Sequence, residues 1–139
     1  MKILGIDLGR SRTGLAIAND EINFAFPLKT INEQNEKILL LEILKIVSKN
    51  NIKKVVIGLP KHSNNEEGDG ANITKKFACF IKEKLKNVEI IMQNEWGTTI
   101  TAHNYLNEIG YKKNRKKIID SVSATIILQN FLDSKKFFN

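Results

Sequence analysis

An α/β fold, with a five-stranded mixed sheet of three antiparallel strands followed by parallel ones and helices on both faces, is what the sequence predicts. Three observations predict it. The first thirty residues carry three short apolar segments parted by turn residues. From Asn32 onward, helical spacing alternates with short apolar runs. The run Val55-Val56-Ile57 is continuous, as in a strand covered on both faces.

Taken in order, Ile3, Leu4, Ile6 and Leu8 form a strand broken at Gly9, and Gly14 to Ala18 is small and apolar, as a buried strand can be. Arg10-Ser11-Arg12 is the tight polar connection between them. Asn19-Asp20 supplies turn chemistry before a third strand, Ile22 to Phe26, so the opening reads as an antiparallel meander ended by Pro27. Asn32 to Lys49 is predicted helical, with Ile38, Leu41, Leu44 (or Lys45) and Val47 as its apolar stripe. Lys53 to Gly58 follows as a strand closed by Pro60, Lys61 to Gly70 as a loop, and Ala71 to Leu85 as a helix striped by Ile73, Phe77, Phe80 and Ile81. Val88 to Met92 is a fifth strand. Thr98 to Ile109 is a helix stopped by Gly110, and a last helix runs from about Lys117 to Ser134.

The chain of 139 residues fits a single domain spanning 1–139, large enough to bury a core without covalent staples. Its lone cysteine, Cys79, excludes a disulfide framework and a multi-cysteine zinc site, and is expected as a small core residue. No apolar run approaches the roughly 20 residues of a membrane span, and Asp7 interrupts the N-terminal run before a signal-peptide core could form. A cytoplasmic protein without membrane partners is expected. Lys and Arg outnumber Asp and Glu by 22 to 15, a net charge of +7 that favours polyanionic partners such as nucleic acid.

Three carboxylates have reason to meet. Asp7 lies in an otherwise apolar strand, where a buried charge needs compensation. Glu95 lies just beyond the fifth strand, so both acids sit at strand C-terminal ends, where open α/β sheets place ligands. Asp120, in the first turn of the last helix, heads a stripe of Ala124, Ile127 and Phe131, and faces the same edge if that stripe packs on the sheet. Taken singly, each could be a capping or solvated charge worth about 1 kcal/mol. Together they make a hard-oxygen site suited to Mg²⁺ or Mn²⁺, and a metal pair about 3.5 to 4 Å apart can assist phosphodiester cleavage.

The motifs Ile6-Asp7-Leu8-Gly9-Arg10-Ser11-Arg12-Thr13-Gly14-Leu15-Ala16, Val56-Ile57-Gly58-Leu59-Pro60, Asn94-Glu95 with Thr98-Thr99 and Ala102, and Asp120-Ser121 with Ala124 and Ile127-Leu128-Gln129 stand in one order along nearly the whole chain. In that order they resemble the YqgF family, also called RuvX or Holliday junction resolvase-like, whose fold is ribonuclease H-like. By this resemblance Asp7, Glu95 and Asp120 match the family's acidic triad. The implied activity is metal-dependent nuclease action, with maturation of the 5′ end of pre-16S rRNA as its role and the ribosome as a further partner. The chain departs at one motif: where the family reads Asp-Glu-Arg, it has Asn94-Glu95-Trp96, without one acid and one base. A milder change replaces the usual Asp-Gly turn by Asn64-Asn65.

Arg10 and Arg12 either contact a scissile-strand phosphate or form an ordinary solvated hairpin. Lys112, Lys113, Arg115, Lys116 and Lys117 form a basic loop before Asp120 and are read as gripping nucleic-acid backbone without reading sequence. His62 and His103 lack metal-site partners, and Trp96 is expected to pack on a neighbouring helix. Three alternatives remain beside the RNA nuclease. A resolvase cutting branched DNA would need a stable dimer, whereas the RNA reading fits a monomer or weak homodimer. A nucleic-acid- or ribosome-binding module with lost catalysis is motivated by Asn94 and Trp96. A sugar-kinase or actin-like ATPase is suggested by Gly5-Ile6-Asp7-Leu8-Gly9, but such proteins close two lobes on the nucleotide.

Overall fold

The computed structural model describes residues 1–60, 69–95 and 115–136. Five strands, β1 (Lys2–Leu8), β2 (Thr13–Asn19), β3 (Phe24–Ile31), β4 (Ile52–Pro60) and β5 (Glu89–Glu95), form one sheet of order β3-β2-β1-β4-β5. The meander β1–β2–β3 is antiparallel, and β4 and β5 join in parallel, as expected from the opening hairpins and the later helical crossovers. Helices α1 (Glu36–Lys49), α2 (Asp69–Lys84) and α3 (Arg115–Lys136) cover the two faces.

The two faces differ in side-chain size because β1 and β2 alternate. Leu4, Ile6, Leu15 and Ile57 pack with Leu39 and Ile43 of α1 and with Phe77 and Ile81 of α2. On the other face Ala16, Ala18 and Ala25 pack beneath Ala124, Ile127, Leu128 and Phe131 of α3. Gly5 lies on this small-residue face, where a Cβ would stand 2.9 Å from the Leu128 Cβ. Small residues let a helix axis approach a sheet closely, and close packing supplies the dispersion contacts that hold it there. Gln129 adds a polar tie: its Oε1 accepts from the Ala25 N–H at 2.9 Å, and its Nε2 donates to the Asp133 Oδ1 at 3.0 Å. Lys54 enters this face almost fully buried, its Nζ 3.5 Å from the Glu89 carboxylate and 5.6 Å from the Phe131 ring centroid.

Several boundaries differ from expectation, each for a local reason. The third strand runs from Phe24 to Ile31 and passes through Pro27, which is tolerated because β3 is an edge strand and Pro27 sits where the register with β2 shifts. Ile22 stays in the preceding turn, where Asn23 takes positive φ. The first helix begins only at Glu36, because the Asn35 side chain caps it by accepting from the N–H groups of Lys37 and Ile38. Its buried stripe is Leu39, Ile43 and Val47, while Ile38 and Leu41 are 48% and 58% exposed. Apolar residues surround this helix, so spacing alone could not choose the face.

In α2, Thr74, Phe77, Ala78 and Ile81 are buried and Ile73 and Phe80 are exposed; Cys79, expected in the core, is exposed on the opposite side. The helix also claims Asp69 and Gly70, two residues expected in the preceding loop. The fifth strand extends to Glu95, which is therefore its last residue and not a residue beyond it. The expected helix from Thr98 to Ile109, Trp96, Asn64-Asn65, His62 and His103 lie outside the described residues. None of the described helices is long and apolar enough to cross a membrane.

Candidate functional site

Asp7 is the last but one residue of β1 and registers on Gly14 of β2. The strand buries it because Ile3, Gly5 and Asp7 alternate onto the α3 face, where Gly5 already meets Leu128 and Ala124. Gly14 is where α3 lands: a Cβ there would collide with the Asp120 carbonyl. That approach brings the Asp120 side chain to the end of β1, so the two acids flank Gly14. The stripe Asp120, Ala124, Ile127 and Phe131 does pack on the sheet as its spacing predicted. Asp120 is nevertheless the sixth residue of a helix that starts at Arg115, so it stands past the first turn and is not a dipole partner at the helix N-terminus.

The electrostatics are those of two desolvated acids, one of which has an arginine beside it. Asp7 is pushed up from an ordinary value of 3.8 to about 6, first by burial and then by the negative charge of Asp120. Asp120 is also raised, by burial, against the opposing pull of Arg12. The Arg12 Nε lies 3.1 Å from Asp120 Oδ2 as an ion pair, but without hydrogen-bond alignment. That Oδ2 is shut off from solvent and lacks a hydrogen-bond partner among the described residues. Arg12 gives this solvent-shielded carboxylate oxygen charge compensation but no directed hydrogen bond, and a donor or a further cation would lower its energy.

Glu95, the third expected acid, ends β5 opposite Pro60 of β4, two positions beyond the Gly58–Gln93 pair. Its side chain is outside the described residues, and no group of three His, Cys, Asp or Glu side chains able to hold a metal occurs among those described. What is described, two carboxylates without sulfur or imidazole, is the donor set of a hard divalent cation.

The two arginines of the β1–β2 connection part company. Arg12 turns to Asp120 and also borders a groove of about 560 Å³ with Ser11, Asn32, Glu33 and Gln34. Arg10 lines an adjoining groove of about 550 Å³ with Leu8, Glu36, Lys76 and Phe77, and the two grooves share Glu33 and Gln34. Of the expected basic loop, Lys112 and Lys113 lie outside the described residues, whereas Arg115, Lys116 and Lys117 belong to the first turn of α3 and not to a loop. Sequence reasoning did not single out Gly5 and Gly14 as the residues that seat α3. The signal was present in the small-large alternation Gly14-Leu15-Ala16-Ile17-Ala18. The Arg12–Asp120 pair, joining residues far apart in the chain, left no such trace.

Comparison with known proteins adds to this geometry. A family profile described as RuvX, Holliday junction resolvase, matches residues 1–134. A protein named "Putative pre-16S rRNA nuclease" from Mycoplasma mobile is 39% identical over 136 residues, covering 96% of this chain and 93% of the relative. Its namesake in Acetivibrio thermocellus is 35% identical over 137 residues, covering 97% of both. Among solved structures, the fowlpox virus Holliday junction resolvase superposes with a TM-score of 0.65 at 17% identity, over 96% of this chain and 99% of that one. Thermus thermophilus RuvC bound to a Holliday junction gives 0.63 at 12% identity, over 98% and 96%. At these identities the structural likeness speaks for the fold, a ribonuclease H-like one.

Proposed function

Because the chain belongs to the RuvX Holliday junction resolvase family, we propose that it is a single-domain, divalent-metal-dependent nuclease hydrolysing RNA phosphodiester bonds, with pre-16S rRNA as its substrate. The observation that carries this reading is the pair Asp7 and Asp120, two acids brought together from opposite ends of the chain, one of them with a solvent-shielded oxygen that accepts no hydrogen bond among the described residues. Asp7 and Asp120 would hold Mg²⁺ or Mn²⁺, with Glu95 at the end of β5 as the third acid. The bound ion would supply Lewis-acid polarisation and charge neutralisation at the scissile phosphate. The chain's own contribution is to fix the acids in a shielded setting and to bring cations to the substrate backbone. Arg10 and Arg12 on the β1–β2 connection, and Lys112, Lys113, Arg115, Lys116 and Lys117 leading into α3, would grip phosphates, in keeping with the net charge of +7.

Branched DNA is the second substrate to test, favoured by the description of the family. Purified wild-type and Asp7→Asn protein are incubated with a 16S precursor fragment and with a four-way junction, in Mn²⁺ and in chelator. Metal-dependent cutting of the precursor by the wild type alone supports the RNA reading. Cutting of the junction alone moves the substrate to DNA, and cutting that survives Asp7→Asn removes the two-acid site from the chemistry. Binding without cleavage by either protein would leave a nucleic-acid-binding module.

A further inference from the structure

The metal site proposed above already contains a cation of the protein's own. Arg12 immediately precedes β2, and its Nε stands 3.1 Å from the Oδ2 of Asp120, the oxygen that is closed to solvent and accepts no hydrogen bond among the described residues. A guanidinium locked permanently to a carboxylate does so through aligned, usually paired, N–H donors. Here it offers charge without that alignment. Its side chain is 32% exposed and borders the groove formed with Ser11, Asn32, Glu33 and Gln34, so it can leave Asp120 without unpacking either core cluster.

We propose that Arg12 is a resident counter-ion, which stands in for the divalent cation at Asp120 in the metal-free protein and is expelled when the ion binds. This rests on the two-acid reading of the metal site. One oxygen cannot serve a guanidinium and an inner-sphere divalent ion equally, and the two positive charges repel at such range. Coupling of this kind is reciprocal: the factor by which the metal weakens the arginine pair is the factor by which the arginine weakens metal binding. The expelled guanidinium remains at the mouth of the site, so loading of the metal and presentation of a free cation to a substrate phosphate are one event.

The test is equilibrium Mn²⁺ binding, read from the spin-resonance signal of free Mn²⁺, without nucleic acid and independently of turnover. Arg12→Gln is expected to bind Mn²⁺ about five- to tenfold more tightly than wild type, the usual scale of a site-to-site coupling. Arg10→Gln, which removes the same charge from the neighbouring groove, is expected to differ less than about twofold. In the wild type itself, the Arg12 Nε–H resonance should shift on Mg²⁺ addition towards its position in Asp120→Asn, a readout that needs no Arg12 variant to fold. Unchanged or weaker Mn²⁺ binding by Arg12→Gln, equal tightening by Arg10→Gln, or an Arg12 resonance indifferent to Mg²⁺ overturns the proposal. Absence of Mn²⁺ binding in the wild type overturns the metal site itself, whereas binding that disappears in Asp120→Asn but is insensitive to Arg12 overturns only the role of the arginine.

Discussion

Gly14 of β2 and Asp120 of α3 are so close that no side chain fits between them: a Cβ on Gly14 would collide with the Asp120 carbonyl. The obstruction is backbone and cannot swing aside, so Gly14→Ala must push the start of α3 off the sheet. The expected cost is about 1–3 kcal/mol of stability, the usual range for overpacking. Chemical denaturation measures it, and metal affinity should fall in the same variant because Asp120 moves with the helix. A Gly14→Ala protein of wild-type stability and metal affinity would contradict this packing.

The acids set an unusual pH dependence in the metal-free protein. Asp7 holds its proton more firmly in the folded state, up to about 6, than at the ordinary value of 3.8. Stability from this group is therefore complete below pH 4 and is lost as pH rises to about 6, on the order of 3 kcal/mol in all, and Asp120 shifts in the same direction. The melting temperature in chelator should fall between pH 4 and pH 6. In Asp7→Asn that decline should shrink to the part that Asp120 contributes.

At pH 7.5 the same substitution separates stability from activity. Asp7→Asn removes a buried charge, so the metal-free variant should melt higher than wild type while losing cleavage. Added Mn²⁺ should raise the wild-type melting temperature according to ligand linkage, by about 2.7 kcal/mol of stabilisation at a hundredfold excess over the dissociation constant. Asp7→Asn should show little of that rise.

Gln129 is a polar link between β3 and α3. Gln129→Leu leaves the buried Ala25 N–H without its 2.9 Å acceptor and should cost about 1–3 kcal/mol. Hydrogen exchange at Ala25 should quicken selectively. An unaltered exchange rate there would place the restraint on β3 elsewhere.

Substrate affinity should depend steeply on salt. Changing Lys112, Lys113 and Arg115 together to Gln should weaken RNA binding and lower the slope of log affinity against log salt by about 0.7 for each phosphate that the variant no longer neutralises. Fluorescence anisotropy with a single-stranded fragment at several salt concentrations measures it. An unchanged slope would show that these residues are ordinary solvated charges.

Much of the architecture was legible because it is written in local patterns. The meander, the buried Val55-Val56-Ile57 strand and the stripe from Asp120 to Phe131 each follow from residue spacing within one element. The faces of α1 and α2 were legible only in part: Val47, Phe77 and Ile81 are buried as their spacing suggested, but Ile38, Leu41, Ile73 and Phe80 are exposed, because apolar residues occur around both helices and only the sheet decides which side is covered. Cys79 came out exposed for that reason. Pro27 was read as a strand end because a proline lacks a donor, a deficit that does not matter on the edge position β3 takes in the assembled sheet.

By itself, then, the sequence determined the class of fold and the basic charge and singled out candidate acids, since these depend on composition and on periodicities of two and about 3.6 residues. Tertiary structure decided that Asp120 lies near enough to Asp7 to raise its proton affinity, that Gly14 is the seat of α3, and that Arg12 pairs with Asp120. Those relationships join the two ends of the chain. They depend on how closely a helix can approach a sheet, a quantity that arises only when both surfaces are in place.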